Sequence, residues 1–248
     1  MSDPAAAIDV GSNTVHLLVA RRGDRGLPTT LLDVSQPAGI GPHVDATGEL
    51  GPTLRASVRR DRRRSRSDRR VRRAESVVVL GTEAVRRASD AATLVADVRA
   101  RTGLVLTVLD RTTEGLLALL GVTGGRAPGS LAVVDIGGRS TQVAVARPDG
   151  APVVGVLPVG SARLTAAHVR HDPVRGEEVV TLRRTVRQWA SALDVPGAER
   201  MVVAGGSGTN VSRLLGRERT TPVDRPAIDA ALDLLRSWPA EVLATAPG

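Results

Sequence analysis

An internal repeat constrains this chain more than any other feature. The segments AAIDVGSNTVHLLVA at 6–20 and AVVDIGGRSTQVAVA at 132–146 align without a gap. Each holds an apolar run closed by an aspartate (Asp9, Asp135), a turn built from Gly, Ser, Asn, Arg or Thr, and a second apolar run. Short apolar runs flanking a glycine turn read as paired strands, so each copy predicts a β-hairpin. Glycine turns often resemble one another by chance, but this match extends through both flanking strands. The chain is therefore expected to fold as two lobes grown from one unit, their turns facing a shared cleft.

The remaining pattern fits that plan. The stretch GGRAPG at 124–129 is the natural boundary, giving lobes over 1–125 and 126–248. Strand-like and helical runs alternate throughout, which predicts an α/β fold with largely parallel pairing. Beyond the hairpins, strands are expected at 76–80, 104–109, 151–157 and 201–204. Helices are expected at 53–74, 90–101 with Asp90 as N-cap, 113–121, 161–169, 177–193 and 225–238. The Gly- and Pro-rich stretch 37–52 reads as a loop.

Composition narrows the chemistry. The chain has no Cys, and all 34 of its basic residues are Arg. That excludes cysteine nucleophiles, thiolate metal sites, lysine Schiff bases and the Walker-type phosphate loop. An aromatic content of 1% excludes ring platforms for stacking bases. The N-terminal apolar run is broken by Asp9, Asn13 and His16, which fits neither a signal peptide nor a membrane span. A cytoplasmic protein without a membrane partner is expected. The formal net charge of +8 is local, because 59–73 alone holds ten Arg and two Asp. Only that stretch offers a nucleic acid or another polyanion a basic surface; otherwise it is a solvated helix.

Each repeated turn suits phosphate. Glycines let backbone amides converge and permit positive φ, at Gly11, Gly137 and Gly138. Ser12, Asn13, Thr14, Ser140 and Thr141 add neutral donors. Asp9 and Asp135 would repel phosphate directly, so their chemical use is to carry a hydrated Mg²⁺ that bridges to phosphate oxygens. A third cluster, Gly205-Gly206-Ser207 and onward to Asn210, sits between a strand and a helix, where amides favour an anion.

Six segments in order, AAIDVGSNTVHLLV, GTEAVRRASD, TGLVLTVLDRTTEGLLALLGV, VVDIGGRSTQ, LPVGSARLT and VVAGGSGTN, resemble the exopolyphosphatase/guanosine-pentaphosphate phosphohydrolase (Ppx/GppA) family of the actin and sugar-kinase superfamily. The resemblance implies two ribonuclease-H-like lobes of the actin-like ATPase fold around a central cleft, with the second lobe shortened at its C-terminus. It implies Mg²⁺-assisted hydrolysis of the terminal phosphoanhydride of polyphosphate or guanosine pentaphosphate. It also implies that Glu114 is the general base on water and that Arg86 contacts phosphate. His16 follows the family's hairpin pattern and reads as a packed strand histidine. His168 and His171 read as surface residues rather than a metal pair.

The chain departs from the family where the second turn usually reads GGGSTE. Here it reads GGRSTQ, so Gln142 stands at a catalytic carboxylate's position. Arg139 either clamps a phosphate or obstructs the turn. The family's acidic pair near the base is reduced to Thr113-Glu114. A shortened second lobe leaves its sheet less covered, which a homodimer would remedy. Three readings follow: a phosphohydrolase, a catalytically eroded member that binds polyphosphate or nucleotide as a sensor, and an ATP-using kinase.

Overall fold

The computed structural model describes residues 3–23, 27–52, 74–127 and 129–245. The Arg-rich stretch 59–73 and the helix expected over 53–74, save Ala74, lie outside the described residues. The chain divides into two compact units, Met1–Gly129 with Arg147–Gly150, and Ser130–Ala146 with Ala151–Gly248.

The first unit is built on a five-stranded sheet. Its strands are β1 (Ala5–Val10), β2 (Thr14–Arg22), β3 (Pro28–Pro37), β4 (Ser76–Gly81) and β5 (Leu106–Val108), in the order β3-β2-β1-β4-β5. The β1/β2 hairpin sets Ala6, Ile8 and Val10 opposite Val19, Leu17 and Val15, and all six are buried. Strand alternation puts them on one face, where burial of each Val, Ile or Leu contributes about 1.5–3 kcal/mol. β4 joins β1 in parallel, with Asp9 beside Leu80 and Val10 beside Gly81, and β5 extends that pairing. The sequence reading missed β3 because it is a mostly exposed edge strand with proline at both ends.

Four helices are described in this unit: α1 (Ile40–Thr47), α2 (Glu83–Arg87), α3 (Ala91–Thr102) and α4 (Arg111–Thr123). α1 corrects the expectation of a loop over 37–52. Ile40 and Val44, one turn apart, are both buried, and Gly48 closes the helix at φ 76 with its amide on Val44 O. Asp90 also differs from its expected role. It precedes α3, but its carboxylate accepts from Leu50 N at 2.7 Å and Gly51 N at 3.1 Å rather than capping its own helix.

The second unit repeats the scheme with four strands among the described residues. They are β6 (Leu131–Ile136), β7 (Thr141–Ala146), β8 (Val153–Leu157) and β9 (Arg200–Ala204), in the order β8-β7-β6-β9. β7 is antiparallel to β6 and β9 is parallel to it, just as β2 and β4 flank β1. Helices α5 (Ser161–His168), α6 (Gly176–Ala190), α7 (Gly205–Leu214), α8 (Arg225–Ser237) and α9 (Ala240–Ala244) complete it. The third glycine cluster is not a turn ahead of a helix, as expected, but the opening of α7 itself. No helix among the described residues is long and apolar enough to cross a membrane.

Candidate functional site

The two repeated turns are equivalent at the level of single hydrogen bonds. Gly11 N–H donates to Thr14 O and Gly137 N–H to Ser140 O, each at 3.0 Å. A Cβ on Gly11 would lie 3.0 Å from Thr14 O, and one on Gly137 would lie 3.1 Å from Ser140 O. The tightness of the turn therefore selects glycine at both positions. Positive φ does not, contrary to the sequence reading; of the site glycines only Gly205 is left-handed, at φ 82.

Matching helices hold the turns from behind. Gly41 N–H of α1 donates to Ser12 O at 2.7 Å, and Arg163 N–H of α5 donates to Gly138 O at 3.0 Å. Ser12 and Gly138 are equivalent positions of the repeat, and each helix follows the third strand of its unit. Carbonyls drawn back in this way leave amides as the groups an incoming anion meets. No backbone acceptor among the described residues takes the Ser12 or Asn13 amide.

Side-chain hydroxyls play a different part from the one expected. The buried Ser12 Oγ donates to Glu83 Oε2 at 3.2 Å, Thr141 Oγ1 to Val159 O at 2.7 Å, and Ser207 Oγ to Ile136 O at 3.4 Å. These hydroxyls brace the backbone. Ser140 Oγ instead accepts from Gln142 Nε2 at 3.1 Å, which leaves its own proton available. Gln142 is 1% exposed and Arg139 4%, so both pack into the turn. Asn13 stands exposed and Thr14 half-buried.

All of these groups lie at the carboxyl ends of parallel strands, where ligands of open α/β sheets are taken up. In the first unit the turn follows β1, α2 follows β4 and α4 follows β5. Asp110 caps α4 by accepting from Thr113 N at 2.9 Å and Thr113 Oγ1 at 2.6 Å, and those bonds hold its carboxyl below the usual range. The cap fixes Glu114 in the first turn. There Glu114 Oε2 pairs with Arg86 Nη1 at 3.2 Å, with both side chains largely buried. Arg86 Nη1 also donates to Leu109 O, whereas its Nη2 is buried without a hydrogen-bond partner among the described residues. A guanidinium arm of this kind suits an oxyanion.

In the second unit, Asp135 occupies the register position that Asp9 holds in the first, opposite Gln142 as Asp9 is opposite His16. Burial raises the Asp135 carboxyl above its ordinary pKa. A Cβ at position 205 would lie 2.8 Å from Asp135 Oδ1, so Gly205 keeps clear the space beside this carboxylate. Gly206 and Ser207 follow in the first turn of α7, whose amides are open to an anion.

The histidines do not form a metal pair. His168 Nε2 meets Thr185 Oγ1 at 3.2 Å and His171 Nδ1 meets Glu178 Oε1 at 3.1 Å. His16 is not packed away either; half-exposed, it pairs with Asp33 Oδ1 at 2.6 Å. Sequence reasoning missed the buried Glu83. The signal it carried was an acidic residue opening α2 four positions before Arg87, the spacing of a helical ion pair.

The family model for the Ppx/GppA phosphatase family matches residues 70–219. The chain belongs to the Ppx/GppA phosphatase family. It is 34% identical over 227 residues to an uncharacterized protein of Streptomyces coelicolor, covering 85% of this chain and 65% of that protein. It is 31% identical over 183 residues to exopolyphosphatase 1 of Mycobacterium tuberculosis, covering 71% of this chain and 52% of the relative. The chain thus spans between half and two thirds of the length of these relatives. The crystal structure of the Aquifex aeolicus Ppx/GppA family member superposes with a TM-score of 0.78 at 27% identity, covering 96% of this chain and 80% of that one. The α/β fold with two sheets that the sequence resemblance implies is therefore the fold found.

Proposed function

We propose that this Ppx/GppA chain is a cytoplasmic phosphohydrolase that releases terminal phosphate from inorganic polyphosphate or guanosine pentaphosphate by attack of water. One observation carries the reading: the same amide-presenting turn occurs twice, each drawn back by a helix N-terminus. Phosphoryl transfer depends on positioning and charge neutralisation more than on covalent chemistry, and neither Cys nor Lys is needed for it. In the first unit the Ser12 and Asn13 amides bind phosphate oxygens, Arg86 Nη2 takes a further one, and Glu114 accepts the proton of the attacking water. An oxyanion that draws Arg86 toward itself loosens its hold on Glu114 and leaves that carboxylate free to act as base.

In each unit the aspartate that ends the first hairpin strand, Asp9 in one and Asp135 in the other, is the residue that would hold Mg²⁺. The donor set fits, because Asp135 is a half-buried carboxylate that burial pushes above its ordinary pKa and whose flank Gly205 leaves open. Among the described residues no three His, Cys, Asp or Glu cluster around a metal, and Mg²⁺ commonly rests on one or two carboxylates together with water and phosphate. Bound there, it supplies neutralisation of phosphate charge. Release of phosphate from polyphosphate is expected to require Mg²⁺ and to fall about 100-fold or more in Glu114→Gln. Equal release by wild type and variant removes Glu114 from the role of base.

A second reading draws on the burial of Gln142. With an amide sealed under the turn where the family usually carries a carboxylate, the chain binds polyphosphate or nucleotide without turning it over. Calorimetric binding without phosphate release would single out this reading, and steady turnover would dispose of it.

A further inference from the structure

The repeated turns are braced by different means, and the first contains a carboxylate that the phosphohydrolase chemistry does not use. Glu83 opens α2 and is 3% exposed. Its Oε2 accepts the Ser12 hydroxyl at 3.2 Å, and its Oε1 accepts Arg87 Nη1 at 3.3 Å. The same Arg87 nitrogen donates to Asp45 Oδ1 of α1 at 2.6 Å, and that bond is the main cause that raises the Arg87 pKa. α1 also donates Gly41 N–H to Ser12 O at 2.7 Å. A closed ring results, in which two helices bridged by Arg87 grip one turn residue, its carbonyl from α1 and its hydroxyl from α2.

A carboxylate can only accept, so the Ser12 hydroxyl must donate to Glu83 and cannot donate to a ligand. With carbonyl and hydroxyl both fixed, what Ser12 retains for an anion is its backbone amide. A negative charge this near an anion site is unfavourable unless it is balanced, and Arg87 balances it. The equivalent of Ser12 in the second turn is Gly138, which has no side chain to grip.

We propose that Glu83 is a positioning residue of the first turn, acting through Ser12 to aim the turn amides at phosphate. The proposal rests on the reading of this turn as a phosphate site. It is tested by a double-mutant cycle of Glu83→Ala, Ser12→Ala and the pair, read as Mg²⁺-tripolyphosphate affinity by calorimetry and as phosphate release. A hydrogen bond to a charged group is worth about tenfold in affinity or more, so each single variant is expected to lose about tenfold. The pair is expected to lose the same tenfold, because both changes break one contact. Glu83→Asp keeps the charge but withdraws it from Ser12, and is expected to behave as Glu83→Ala does; Glu83→Gln, whose Oε1 can still accept, is expected to stay within about threefold of wild type. The aspartate variant closes the same cycle should the alanine variant fail to fold. Losses that multiply to about 100-fold in the pair, or a Ser12→Ala variant with wild-type affinity, overturn the proposal even in an active enzyme. A wild type that binds tripolyphosphate without releasing phosphate overturns the hydrolase reading alone, since the cycle is then read in affinities; one that does not bind overturns both.

Discussion

The two hairpin turns share a backbone and differ in what stands behind it. In the first, the Ser12 side chain is held by Glu83, and Glu83 by Arg87 and Asp45. In the second, the position of Ser12 is Gly138, and the space behind it is filled by backbone. A Cβ at Gly160 would lie 2.4 Å from Arg139 N and 2.5 Å from Gly138 C. One turn is thus fixed by a charged side-chain ring and the other by close main-chain packing. The same geometry has been reached through electrostatics in one unit and through steric exclusion in the other. The first turn is therefore expected to be sensitive to charge and the second to volume.

The largest expected effect breaks the second turn by volume. Gly160→Ala drives a methyl into backbone that cannot move aside, at a cost of about 3 kcal/mol, which lowers Tm by about 10 °C for a chain of this size. Gly206→Ala meets nothing within 4 Å and sits in a helix, so its Tm is expected to hold or rise slightly. Thermal melts that rank the two equally would mean that the second turn is not held by packing.

Next in size is Gln142→Glu, which places a carboxylate in a fully buried position. Stability is expected to fall by about 2 kcal/mol, checked by denaturant unfolding. Phosphate release is expected to rise by about tenfold or more if the carboxylate is the part this turn lacks. Stability loss without any gain in rate would favour the binding-protein reading.

Gly11→Ala and Gly137→Ala sharpen the comparison, because their virtual Cβ contacts of 3.0 and 3.1 Å are alike. Both are expected to cost about 1 kcal/mol, and a difference well beyond that between them in urea midpoints would show that the two backbones are not equivalent. The smallest effect concerns Asp135, whose carboxyl burial pushes up. A raised carboxyl pKa means the folded state keeps its proton while the unfolded state has lost it. Stability therefore falls as pH climbs from the ordinary aspartate value through the raised one, and the loss persists above it. Asp135→Asn removes that loss, so the variant is expected to melt higher than wild type near neutral pH and to converge with it below about pH 4.

Much of the architecture was legible because it is written in short-range pattern. Apolar runs flanking an aspartate and a glycine turn located β1, β2, β6 and β7 to within a residue or so, and the helical run at 113–121 located α4 to within two residues at either end. What escaped was built from weak local signals. β3 has little apolar alternation because it pairs on one side only. α1 carries two core residues among glycines and a proline, and it becomes evident only once the second unit shows a helix after its third strand. The site divided in the same way. The turns and aspartates were readable from residue type and spacing, whereas the direction of each hydroxyl was not, because Val159, Glu83 and Ile136 are distant in sequence from Thr141, Ser12 and Ser207.

The sequence by itself determined the repeat, the α/β class, the amide-rich turns and the family, since each depends on residue order over a few positions. Only the tertiary structure decided that Ser12 faces a carboxylate while Ser140 faces an amide, that Gln142 and Arg139 are sealed inside their turn, and that Arg86 holds Glu114. Those outcomes depend on which distant side chains burial brings within hydrogen-bonding reach, and a buried donor must take whatever acceptor the packing supplies.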